Sequence, residues 1–116
     1  MKDLEQRTKN FALRIMKLVD ALPKTTAGRA IGNQIIRSGT SVAANYRAAQ
    51  RARSKAEFIS KIGIVVEEAD ETQLWLEFIM DSGLMSKKKI ELLYKESSEL
   101  LSVFCAVQIT SKKNKK

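Results

Sequence analysis

Arginine carries a planar fork of donors that matches phosphate and carboxylate oxygens, and one stretch of this chain is rich in it. Arg29, Arg37, Arg47 and Arg51, together with Asn33, Thr40 and Ala44, fall within an arc of about 80° when wound at 100° per residue. On a helix this ridge covers about 33 Å of axis. The residues between the arginines are short, which leaves room for a strand or another helix to lie against them. Arg53, Lys55 and Lys61 extend the basic run. Two chemistries suit such a set: phosphate contacts to RNA or DNA, and ion pairs to carboxylates. Aromatics are only 6% of the chain, so base readout by stacking is not supported, and nucleic-acid binding through this ridge is expected to be nonspecific and salt-dependent.

The complementary chemistry lies downstream. Glu67, Glu68, Asp70, Glu71, Glu77 and Asp81 follow one another without an intervening lysine or arginine. Ile64, Leu74, Trp75 and Phe78 alternate with Glu67 and Glu71 on a helix face that a lone subunit would leave wet. Apolar anchors ringed by acids in one place, and arginines in another, suit a head-to-tail contact between copies, which closes into a ring where the rotation permits. The ridge could equally be consumed in that assembly. Segment charges repeat the pattern: residues 1–26 carry +3, 27–61 carry +6, 62–81 carry −6 and 82–116 carry +5, for a net +8.

Other chemistries lack parts. With no histidine and one cysteine, the usual zinc sets, histidine-dependent triads and Glu-x-x-His di-iron bundles are excluded, as is an internal disulfide. No enzyme, metal or cofactor is expected, and Cys105, between Phe104 and Ala106, reads as a core thiol. No apolar run reaches the roughly 18 residues of a membrane span, and the N-terminus has acids where a signal peptide would be apolar; the expected location is the cytoplasm.

Positioning these residues takes four helices. Apolar side chains recur with a 3.6-residue period in a first helix from about Leu4 to Leu22 (Leu4, Phe11, Ile15, Leu18, Leu22), which Pro23 ends. The second runs from Thr26 to about Arg53, with the small, polar inward stripe Ile31, Ile35, Ser38, Val42, Asn45, Ala49. Gly32 and Gly39 share one side of it and predict a close helix approach. Ser54-Lys55-Ala56-Glu57 has capping-box spacing and opens the third, whose stripe is Phe58, Ile62, Val65, Ala69, Thr72, Leu76, Ile79. Ser82-Gly83 stops it. The fourth follows Ser86 with Ile90, Leu93, Ser97, Leu100, Phe104, Val107; Lys87, Lys88 and Lys89 at its start read as a solvated turn. Short connections force antiparallel neighbours, so the fold is all-α: an antiparallel up-down-up-down four-helix bundle over residues 1–111, with 112–116 as a basic disordered tail.

The stretch Arg37-Ser38-Gly39-Thr40-Ser41-Val42-Ala43-Ala44-Asn45, followed by Arg51-Ala52-Arg53-Ser54-Lys55-Ala56-Glu57, resembles the bacterial four-helix bundle family known as 23S rRNA intervening-sequence or S23 ribosomal proteins. Arg37, Ser38, Ser41 and Asn45 match its motif. The resemblance implies a small cytosolic bundle that assembles as a ring, typically a pentamer. A related branch, the accessory protein of diversity-generating retroelements, partners a reverse transcriptase and binds nucleic acid. The motif residues look architectural, the hydroxyls bonding backbone or Asn45 inside the bundle. Ala48-Ala49 replaces the family's glutamate-glycine pair, and Glu71-Thr72 and Trp75 replace a glycine-serine and a glutamate. These departures imply a variant with its own interface, whose outside partner could also be an acidic protein.

Overall fold

The computed structural model describes residues 2–114 and contains four helices, α1 (Lys2–Ala21), α2 (Thr26–Gln50), α3 (Lys55–Ser82) and α4 (Lys87–Lys113). Each packs on its chain neighbour and α4 returns to α1, while the backbones of the diagonal pairs α1/α3 and α2/α4 stay apart. This is the expected up-down-up-down bundle, a rod of 49 × 20 × 20 Å. No helix among the described residues is long and apolar enough to cross a membrane.

Local chemistry sets the boundaries. α1 stops before Leu22 because Pro23 pushes its predecessor out of helical backbone. Thr25 caps α2, its Oγ1 accepting from the Gly28 amide at 3.1 Å. α2 ends at Gln50, short of the expected Arg53, because the α3 cap claims the following residues: Ser54 is extended and its Oγ accepts from the Glu57 amide at 3.0 Å, while the Glu57 carboxylate accepts from the Arg53 amide at 2.7 Å. Gly83, with φ 77°, closes α3 in the left-handed region that side chains avoid. α4 continues through Lys113, so the segment from 112 begins as helix rather than as an unstructured tail; Lys112 and Lys113 suit a helix C-terminus, where the dipole favours cations. Lys115 and Lys116 lie outside the described residues.

The predicted stripes of α1, α3 and α4 face inward, with Phe58 and Val107 half-buried at the edges. On α2, Ile35, Ser38, Val42 and Ala49 are buried, but Ile31 and Asn45 are only half-buried. Tyr46 takes the inward position instead, its ring 5.2 Å from Phe104. Burial, and secondarily the charge of Glu5, hold its phenol above the ordinary range. Asn45 turns back along its own helix and donates to the Ser41 carbonyl at 2.9 Å, so it does not serve the inward hydroxyls as expected.

The small residues of α2 serve its two neighbours. Toward α3, Thr72 Oγ1 lies 2.8 Å from Ser38 Oγ and 2.7 Å from the Glu68 carbonyl, both hydroxyls fully buried. Toward α1, a Cβ on Gly39 would meet Ile15 Cγ1 and Cγ2 at 3.0 Å, whereas one on Gly32 would meet Val19 at an ordinary 3.4 Å. The close approach therefore belongs to Gly39. Gly39→Val is expected to destabilise the fold by about 2 kcal/mol through overpacking, and Ile15→Ala in the same chain should recover part of that loss. Thermal denaturation of the two single variants and the double variant checks the coupling.

Candidate nucleic-acid and assembly surfaces

The ridge on α2 points outward as predicted: Arg29, Arg37, Arg47 and Arg51 are all exposed. Chemically, it is three things rather than one. Arg29 sits in the first turn of α2 beside Pro23 and Lys24, about 33 Å along the axis from Arg51 at 1.5 Å per residue. Arg37 is occupied by its own chain. Its guanidinium reaches Glu68 at 3.1 Å and also pairs with Glu71, both on α3. The Glu71 bond, more than the attraction of Glu68, raises its pKa above the ordinary arginine value. Where assembly was expected to offer it a neighbouring subunit's carboxylates, Arg37 has found Glu68 and Glu71 one helix away, because the Ser38–Thr72 register stacks residues 37 and 71 on the same outer seam.

Arg47 and Arg51 belong to the remaining group, at the end of the rod where α2 turns into α3. Arg51, Arg53 and Lys55 flank that turn, with Arg51 and Lys55 exposed and Arg53 among the exposed residues of the cap; Lys61, one helical level back, is half-buried. A side chain on Gly63 would touch Gln108, so the last turns of α4 lie level with the first turns of α3. Exposed Lys112 and Lys113 therefore share the same end. None of Arg47, Arg51, Arg53, Lys55, Lys61, Lys112 and Lys113 has an ion-pair partner among the described residues. Periodicity gives no sign that the segment from 112 returns to the bundle, so the grouping with Lys112 and Lys113 was not foreseen.

The other ion cluster is also structural. Arg7 on α1 donates through Nε and Nη2 to Glu96 at 3.1 and 2.8 Å and through Nη2 to Glu99 at 3.3 Å, joining α1 to α4. The Glu96 bond leads in raising its pKa. Arg7 stands a full helix away from Glu96, and no local spacing announces the pair.

On α3 the expected wet face divides. Leu74 and Phe78 are 44% and 46% exposed, and Glu67 is exposed, but Ile64 and Trp75 are half-buried. Trp75 Nε1 donates to Glu71 Oε2 at 3.1 Å, and its ring lies 5.8 Å from that of Phe78. Glu71 thus bridges Arg37 and Trp75. Within the bundle, Ser38 bonds Thr72, Arg37 holds Glu68 and Glu71, and Asn45 bonds back onto Ser41.

One apolar surface was not foreseen. Between α1 and α2 runs an open groove of about 310 Å³ floored by Ala12, Leu13, Ala43 and Ala44, with Lys9 and Arg47 on its edges and Glu5 at one end. Leu13 and Met16 are 56% and 44% exposed. They are three residues apart on the side of α1 away from its core stripe, and that pairing was the available signal.

Glu71→Ala is expected to free the Trp75 indole and shift the emission of this single tryptophan to longer wavelength. Glu67→Ala, which removes a carboxylate with no bond to the indole, should leave the emission in place.

The chain matches the family model of the 23S rRNA-intervening sequence protein over residues 2–105. A solved structure, described as a protein with unknown function from the S23 ribosomal protein family of Bacteroides thetaiotaomicron VPI-5482, is 33% identical, with 90% of this chain and 96% of that one covered and a TM-score of 0.84. None of the curated proteins matches. The bundle, the Arg37-Ser38 seam and both similarities agree, and the chain belongs to the 23S rRNA-intervening sequence protein family.

Proposed function

We propose that the protein is a noncatalytic, cytoplasmic adaptor that assembles as a ring of identical copies and holds RNA or DNA nonspecifically on the basic end of its bundle. Five copies is the number the family resemblance implies. The observation that carries the nucleic-acid reading is the gathering of Arg47, Arg51, Arg53, Lys55, Lys61, Lys112 and Lys113 at one end, with no carboxylate paired to any of them among the described residues. Cations left unpaired and exposed attract polyanions and release their counterions on contact. Arg29, at the far end, and Arg37, held by Glu68 and Glu71, fall outside this surface. Ring formation is supported by the exposed Leu74 and Phe78 beside Glu67, because apolar side chains of that size gain from being covered.

A second reading is a protein-binding scaffold in which the α2 arginines serve assembly; Arg37, engaged with carboxylates, favours it. The two differ in what Arg51 does. Binding of a single-stranded RNA, measured over a range of salt concentrations, is expected to weaken steeply as salt rises. Arg51→Gln, Arg53→Gln and Lys55→Gln combined should flatten the log–log slope by about 2, at roughly 0.7 for each phosphate no longer neutralised. Arg29→Gln should change it little. If the triple variant leaves RNA binding unaltered but lowers the mass seen by light scattering, the scaffold reading stands instead.

A further inference from the structure

Two of the exposed apolar surfaces lie on α1 and α3, helices placed diagonally across the bundle. One is concave with two cations and one carboxylate on its rim: the α1–α2 groove, with Leu13 and the neighbouring Met16, edged by Lys9 and Arg47, and with Glu5 a turn below Lys9. The other is convex and acidic. Glu67, Leu74, Phe78 and Asp81 are all exposed and, at 100° per residue, share the outward side of α3. Because the surfaces differ and stand on opposite flanks, neither can pair with its own image across a two-fold axis while also meeting the other. Joining them makes a heterologous contact, and every copy so joined offers the same two surfaces again.

We propose that the α1–α2 groove receives the outward face of α3 from a second copy of this chain, with Phe78 and Leu74 seated against Leu13, Met16 and the alanine floor. This rests on the ring reading above and specifies the surfaces that make it. Charge sets the direction. Lys9 and Arg47 border the groove toward the basic end of the bundle, and Glu67 lies on the basic-end side of Leu74 and Phe78, since α3 starts from that end. Matching Lys9 and Arg47 to Glu67 requires neighbouring bundles to run parallel; the antiparallel arrangement would turn Asp20 of α1, an exposed carboxylate beyond Met16, toward Glu67. Parallel neighbours related by a cyclic axis bring every basic end to one rim.

The contact is testable with paired single cysteines in a Cys105→Ser background and a short bis-maleimide reagent. Leu13→Cys mixed with Phe78→Cys is expected to give an interchain product absent when either variant is treated alone. Leu92→Cys, on an exposed position of α4 away from both surfaces, should give none with either. Lys9→Cys should link to Glu67→Cys and not to Asp81→Cys. Light scattering on the untreated protein is the second measurement, and circular dichroism shows that each variant is folded. A multi-copy mass with no Leu13–Phe78 product overturns this contact and leaves the ring standing. A mass of 13.0 kDa overturns both. A Lys9–Asp81 product overturns the parallel order and with it the common rim.

Discussion

The buried hydrogen bond between Ser38 and Thr72 fixes how α2 lies on α3, and most of what the surface offers follows from that register. Sliding by a turn would break this buried bond, at a net cost of about 1 kcal/mol, while each hydroxyl would keep a carbonyl of its own helix, Thr72 that of Glu68 and Ser38 that of Ile35. Greasy side chains would tolerate such sliding far better. The same bond keeps the helices close, because neither residue is large. Directly outside it, Arg37 falls over Glu68 and Glu71, and Glu71 falls against the Trp75 indole. On the other flank of α2, Gly39 lets Ile15 of α1 sit where a side chain would otherwise stand. One short stretch, Arg37-Ser38-Gly39, therefore binds α2 to both of its neighbours.

That stretch also explains what the sequence alone could and could not reveal. The inward stripes of α1, α3 and α4 are legible because leucine, isoleucine, valine and phenylalanine recur with helical period, and the caps at Thr25 and Ser54 are legible because the bonds that make them are local. Arg37 was visible as part of a ridge, but its partners depend on which turn of α3 lies beside it, and periodicity carries no information about register between helices. Tyr46 illustrates a different limit. It and Asn45 are adjacent and both lie near the margin of the α2 stripe; the choice between them was made by Phe104, more than fifty residues away. The basic end was half-legible. Arg51, Arg53 and Lys55 are near neighbours in sequence, but Lys112 and Lys113 join them only because α4 is long enough to run back level with the start of α3.

The charges are sorted by location rather than merely in excess. Two arginines, Arg7 and Arg37, act as staples across the α1–α4 and α2–α3 seams, each reaching two glutamates. Pairs this open to solvent add little to stability, because water screens the attraction and long side chains lose freedom in making it. Their value lies more in orienting helices than in holding them together. Several of the acids left over, Glu67, Asp70 and Asp81 among them, lie exposed on α3, and one group of the cations left over lies at the α2–α3 turn, while Lys24, Arg29 and Lys87 to Lys89 stand at the opposite end. The net charge of +8 could not distinguish a uniformly basic surface from this polarised one.

Polarisation matters because a single basic end is a weak binder. Nonspecific phosphate contacts give dissociation constants of about 10⁻⁴–10⁻⁶ M at physiological salt, and this end has no stacking platform to add to them. In the proposed parallel ring the same end recurs around one rim, and a strand held by one copy meets the next at high effective concentration, so avidity grows without any new kind of contact. The two attachments would then differ in their response to salt. Phosphate binding at the rim weakens as counterions compete, whereas burial of Leu74 and Phe78 against Leu13 and Met16 is an apolar contact that screening leaves largely intact. An adaptor built this way releases its nucleic acid while remaining assembled, which a scaffold held together by the arginine ridge could not do.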